Sequence, residues 1–254
     1  KPESTKTENN VVVSNNDDNY TKEDKPVLSD APPPWHSVVF IVLLATLCVA
    51  SLPSIESIDE IATINTFTYR VFPNLISVKT LGYIRLFFAM TVWFQSIQCV
   101  CFSSGWEFQS NYLPTSKLQV TSFRFSGIKT QAPFTGWCWN MIGTWSTLSS
   151  AIALLDAYGY SNVIQPWMLR LAMISWQIAA PLAPLVSAVI RYAIWPKFLK
   201  EKKNTSNLKH WRKNLALNLN SMFCLVELGW MGGLPIQLSY ASLAPLFGCI
   251  YIVF

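Results

Sequence analysis

Residues 134–145 read FTGWCWNMIGTW, an apolar stretch whose polar side chains are Thr135, Asn140 and Thr144. No charge follows until Asp156, so at about 1.5 Å per residue the run from Phe134 can cross the ~30 Å hydrocarbon core of a bilayer as a helix. Reading it as a membrane helix sets the fold class, because comparable apolar runs stand on either side. It also raises the functional question. Thr135 and Asn140 either edge a catalytic pocket or trim a packed helix.

Composition agrees with the membrane reading. Hydrophobic residues make up 51% of the 254, charged residues 13%, and mean hydropathy is +0.29, far from a charge-rich soluble domain. The expected fold is all-α, a polytopic transmembrane helical bundle of about six spans: 37–53, 82–102, 134–158, 167–195, 214–231 and 238–254. The fourth contains Pro181 and Pro184, which remove helix donors and are expected to bend it. Between spans, 53–80 is expected to hold an amphipathic stretch on the membrane surface. The alternating LQVTSFRF at 118–125 predicts a short hairpin within 103–133.

Residues 1–34 form a polar tail rich in Asn, Asp, Lys, Ser and Pro, expected to be extended and ordered only by partners, because it buries too little apolar surface to order itself. The helical domain is expected over 35–254. Residues 1–30 carry a net charge of −3, leaving +8 on the remainder. Those positive charges cluster between spans, chiefly in a basic loop holding Lys197, Lys200, Lys202, Lys203, Lys209, Arg212 and Lys213. The pattern places the tail, the 103–133 loop and the 196–213 loop on the cytosolic, matrix or stromal side, and nucleic acid is not an expected partner. The chain starts at Lys1 without Met and stops at Phe254 inside an apolar run, so further residues are expected at both ends.

Six cysteines, each in or beside an apolar run, read as small buried residues rather than a disulfide scaffold. Cys99 and Cys101, with His36 and His210 elsewhere, do not make a zinc site, and two histidines outside the spans do not suit haem. No metal or cofactor is expected. Bound lipids are, with pigments or quinone as candidates beside mid-span Trp93, Trp145 and Trp176, although packing between helices explains these aromatics more simply. Ser149 and Ser150 read as small residues at a helix contact.

Polar groups at membrane depth are costly unless partnered. Arg85, near the end of its span, is expected to snorkel to the headgroups. Asp156, Gln177, Asn218, Asn220 and Glu227 are expected to bond between helices. Asn218 and Asn220 point apart, whereas Asn220 and Glu227 share a face. Glu227 is expected to be protonated or paired, with a basic residue near another helix end as the candidate class of partner, which the sequence does not narrow to one residue.

The FT dipeptide, an asparagine five residues after the threonine, and a later LVEL followed by a proline resemble the androgen-induced, FAR-17a/AIG1-like membrane proteins. The resemblance covers about residues 80–254. It implies a multi-helix intramembrane threonine hydrolase of fatty acid esters of hydroxy fatty acids, in which Thr135 attacks, Asn140 orients and Glu227 tunes polarity. The sequence departs from that pattern at the family's histidine, whose place falls on Leu217 beside Asn218. Without imidazole, Thr135 lacks the base that would make it nucleophilic.

Nucleotide-binding, metalloprotease and serine-hydrolase motifs are missing. The expected role is therefore a non-catalytic accessory or scaffold subunit of an organellar or energy-transducing membrane complex, in the mitochondrial inner or thylakoid membrane, with the endoplasmic reticulum as alternative. Its expected partners are other membrane subunits, met through the tail and loops, and lipids. The competing readings are the threonine hydrolase and a small-solute transporter built around the Pro181 and Pro184 break.

Overall fold

The computed structural model describes residues 34–102, 105–111, 120–194, 196 and 211–253. The expected tail at 1–33 and Lys197, Lys200, Lys202, Lys203 and Lys209 of the basic loop lie outside the described residues. The chain divides into two units, Lys1–Val39 and Phe40–Phe254, and the described part of the first is the opening of α1.

The helices are α1 (Pro34–Ala50), α2 (Ile55–Ile61), α3 (Ile64–Thr68), α4 (Val78–Ile97), α5 (Phe134–Ala157), α6 (Pro166–Val189), α7 (Trp211–Trp230) and α8 (Leu243–Val253). Between α4 and α5 stands the expected hairpin, β1 (Trp106–Asn111) antiparallel to β2 (Val120–Phe125), with Trp106 opposite Phe125.

Local chemistry sets the helix boundaries. Ser54, Thr63 and Ser77 each accept a hydrogen bond from the backbone N–H three residues on, capping α2, α3 and α4. Pro166 opens α6, where a missing N–H costs nothing. Gly159, at φ +81°, ends α5: its N–H returns to Asp156 O and that of Tyr160 to Leu155 O, a paired closure that needs the left-handed conformation glycine adopts freely.

Among the described residues two helices are long and apolar enough to cross a membrane: Val78–Phe102, in which a π-helical turn extends α4, and Pro166–Ile194, in which another extends α6. At 25 and 29 residues they measure roughly 37 and 43 Å. The segment from Trp35 to Ile61, bent by 66° between α1 and α2, is a third if taken as one broken span. Pro181 and Pro184 sit inside α6 without breaking it. The last apolar run gives only the 11-residue α8 after a short 3-10 turn at Leu238–Tyr240. α7 begins at Trp211, so Arg212 and Lys213, assigned to the loop from sequence, lie in its first turn.

α5 runs through the centre, packed against α4 on one side and α6 on the other. Its small residues permit the approach. Ser150 Oγ donates to Gly82 O at 2.8 Å, Trp139 Nε1 to Val92 O at 3.1 Å, and Trp93 Nε1 to Thr147 Oγ1 at 2.9 Å. Trp145 and Trp176 are fully buried with ring centroids 4.6 Å apart, so both pack between helices. The outer faces are apolar, with Phe87, Met90 and Phe94 on α4 and Leu171, Leu185 and Val189 on α6 all exposed. Such surfaces suit a lipid solvent.

The 53–80 segment folds as α2 and α3, which bury Ile58 and Phe67 against the helices. Arg170 holds Asp59 of α2 through two hydrogen bonds of 2.6 and 2.7 Å, and that bonding keeps the Asp59 carboxyl below its usual range. The pair is largely solvated and adds little to stability.

A Cβ at Gly143 would lie 2.8 Å from Val92 Cγ1 and 3.1 Å from the Trp93 ring. Gly143→Val should therefore destabilise the protein by about 1–3 kcal/mol through overpacking, read as a lower thermal midpoint in detergent. Gly229→Ala, whose added Cβ meets nothing within 4 Å, should leave that midpoint unchanged or higher.

Candidate functional site

Arg85 lies in the second turn of α4 and has no exposed surface. Its Nε donates to Glu227 Oε2 at 3.1 Å, Nη2 to Glu227 Oε1, and Nη1 to Phe67 O at 2.6 Å. Glu227 of α7 is equally buried. Phe67 O lies at the C-terminal end of α3, where carbonyls lack helical partners.

This overturns the snorkelling expected of Arg85. A guanidinium reaches for headgroups when no nearer acceptor satisfies it, and here a carboxylate and a carbonyl stand at its own level. The open question of Glu227's partner closes at the same contact.

The backbone seals the pair. A Cβ at Gly232 would fall on Glu227 Oε1 and Arg85 Nη2, so only glycine fits there. Gly233, at φ +57°, returns its N–H to Glu227 O at 2.8 Å, while Val71 N–H donates to Met231 O at 2.8 Å.

A second polar cluster gathers around Asn140. Ser96 of α4 donates to Asn140 Oδ1 at 3.2 Å, Asn140 Nδ2 donates to Gln131 Oε1 at 3.4 Å, and Thr144 Oγ1 donates to Asn140 O at 2.9 Å. The side chain of Thr135, half-buried in the first turn of α5, makes no hydrogen bond among the described residues. Five positions at about 100° each put Thr135 and Asn140 roughly 140° apart around the helix, so they do not converge on one point. His210 lies outside the described residues, and His36 belongs to the first unit.

The remaining polar residues also act locally. Asp156 accepts from Ser161 Oγ at 2.8 Å, next to the closure of α5. Gln177 clamps the segment after α7, donating to Pro235 O at 2.9 Å and accepting from Gln237 N–H at 3.2 Å. Asn218 is exposed whereas Asn220 is buried, which matches their expected divergence, and Asn220 Oδ1 has no partner. Ser221 Oγ of α7 lies 2.7 Å from Ser187 Oγ and 3.1 Å from Ala183 O of α6.

Among the described residues no three His, Cys, Asp or Glu side chains gather as metal ligands. Sequence reasoning missed Ser96, Gln131, Gly232 and the Phe67 carbonyl. The first three carry a weak signal, as small or amide residues beside apolar spans, but a backbone carbonyl carries none.

Compared with known proteins, the chain matches no family model, no curated protein and no solved structure. The likeness to androgen-induced membrane proteins rests on its motif residues alone. Chemically, the arrangement ties helices together, with both carboxylate oxygens of Glu227 bonded to Arg85.

Removing one partner of a buried pair leaves an uncompensated charge. Glu227→Leu should destabilise the protein by about 3–5 kcal/mol, whereas Arg85→Met combined with Glu227→Leu should recover most of that loss. Thermal unfolding in detergent, followed by circular dichroism, checks both.

Proposed function

We propose that the chain is a non-catalytic integral-membrane subunit, an accessory or scaffold in a larger organellar or energy-transducing membrane assembly. In this reading six helices cross the bilayer: α1, α4, α5, α6, α7 and, with its preceding turn, α8. The tail, the 103–133 loop and the basic loop share the matrix, stromal or cytosolic side and meet partner subunits there. The mitochondrial inner or thylakoid membrane is the proposed location.

One observation carries the reading. The fully buried charged side chains among the described residues, Arg85 near the start of α4 and Glu227 near the end of α7, are bonded to each other, an arrangement that fixes structure rather than meeting a ligand. The broad apolar outer faces of α4 and α6 support membrane embedding. A descent from androgen-induced-type hydrolases agrees with Thr135, Asn140 and Glu227 but supplies no base for Thr135.

Extraction in mild detergent followed by native gel electrophoresis and mass spectrometry of neighbours tests the proposal. The chain should migrate in a particle far heavier than its 28.7 kDa, and the purified chain should not hydrolyse fatty-acyl esters. Migration as a monomer, or hydrolysis that Thr135→Ala abolishes, would overturn it.

A further inference from the structure

Lys79 lies in the first turn of α4, and its Nζ stands over the ring of Tyr158, the residue that follows α5, at 4.5 Å from the centroid. Lys79 forms no hydrogen bond or ion pair among the described residues, where the salt bridges are Arg85–Glu227 and Arg170–Asp59. The cation–π contact fixes where the ammonium sits without satisfying its N–H donors.

Beside it, Tyr83 and Tyr158 join their hydroxyls at 2.7 Å, and both side chains are exposed. One hydroxyl donates and the other accepts, so the accepting hydroxyl keeps a proton of its own. No acceptor among the described residues takes that proton. The cluster therefore presents a full positive charge, the ammonium N–H groups and one spare O–H, all facing outward. An ammonium over a ring and a hydroxyl at the ring's edge stand about 5–6 Å apart, the span of two hydrogen bonds that meet on one phosphate oxygen. A phosphate anion complements this set of donors.

Position selects the source of the phosphate. Ser150 bonds Gly82 and Asn140 bonds Ser96, so α5 runs antiparallel to α4, and the short connection from Tyr158 to Gln165 returns the chain to the start of α6. The beginning of α4, the end of α5 and the beginning of α6 thus share one end of the molecule. Tyr160 and Trp167 are exposed at that end as well, and aromatic side chains with a polar tip collect at the membrane–water boundary. From Tyr83 an exposed apolar stripe continues along α4 through Phe87, Met90 and Phe94, at the spacing of one helix face. A phosphate that carries acyl chains can lay them on this stripe while its charge stays at Lys79. A free phosphate gains nothing from the stripe.

We infer that Lys79, Tyr83 and Tyr158 form a binding site for the phosphate of an anionic phospholipid, seated at the membrane boundary where α4 begins. The inference rests on the membrane-embedded reading above and does not require partner subunits.

The test titrates the full chain, purified in mild detergent, with phosphatidylglycerol or with phosphatidylcholine, and counts bound lipid by native mass spectrometry. Wild-type protein should prefer phosphatidylglycerol, because the choline of the other lipid brings a second cation to Lys79. Lys79→Gln, which removes the charge and keeps most of the stem, should weaken phosphatidylglycerol binding about fivefold to tenfold and abolish the preference. Tyr158→Phe should weaken it about threefold, and Lys79→Arg should retain it. Lys129→Gln removes an exposed cation before the opposite end of α5 and should leave binding unchanged. Circular dichroism and thermal midpoints equal to wild type show that the variants fold. Equal binding by wild type and Lys79→Gln, or equal losses in Lys79→Gln and Lys129→Gln, overturns the inference. So does displacement of phosphatidylglycerol by an equal concentration of inorganic phosphate, which would leave an anion site with no lipid component. A photo-crosslinker at Tyr83 that captures a polypeptide in native membranes rather than lipid overturns it too. Release of the chain by alkaline carbonate would instead defeat the membrane reading itself, which separates the two failures.

Discussion

The rest of the molecule is organised around one buried ion pair. Placing Arg85 and Glu227 out of water carries a desolvation cost of several kcal/mol per ion, offset only where geometry is good and the remaining donors are satisfied. Here two hydrogen bonds join the charges and Phe67 O takes a third, so each of the three guanidinium nitrogens has an acceptor. The constraint reaches across the sequence, because α3, α4 and α7 must arrive together for any one of them to be satisfied. It also fixes register. One turn from the pair, Phe88 stacks on Phe223 with ring centroids 4.1 Å apart, and Phe223 in turn stacks on Trp139 at 6.4 Å, so the charged contact leads directly into the apolar core of α4, α5 and α7.

α5 solves a different problem. In lipid, apolar helices gain little by exchanging hydrocarbon for one another, so association depends on close packing and on hydrogen bonds between helices. α5 provides both. Gly143 lets Val92 and Trp93 approach, Ser150 reaches the Gly82 carbonyl, and Asn140 joins Ser96 to Gln131. The polar residues of FTGWCWNMIGTW are thus mostly trim on a packed helix. α5 is long enough to cross a bilayer, and ten of its 24 residues are buried against the rest of the molecule, Ser146, Ser149 and Ser150 among them.

Much of this was legible. The start and end of α4, α5 and α6 fall within a few residues of the expected spans, because long uncharged runs bounded by Ser, Pro and Gly leave few alternatives. The hairpin followed from alternation, and the divergence of Asn218 and Asn220 from helical spacing. What failed was partner choice. Arg85 near a span end reads as an anchor by the general rule, and the acid 142 positions away lies beyond any local pattern. α8 failed for a different reason: hydropathy continues to Phe254, but Leu238 to Ser242 adopts turns before the helix begins at Leu243, so less apolar sequence becomes helix than the run suggests.

The same economy runs through the other polar groups. Arg85 and Glu227 neutralise one another, Gln177 bonds to the backbone at Pro235 and Gln237, Asn140 bonds to Ser96 and Gln131, and apolar side chains face outward along α4 and α6. Arg70 Nε, Trp145 Nε1 and Asn220 Oδ1 are the side-chain atoms left buried without partners among the described residues, and each carries a desolvation cost that the packing around it must offset.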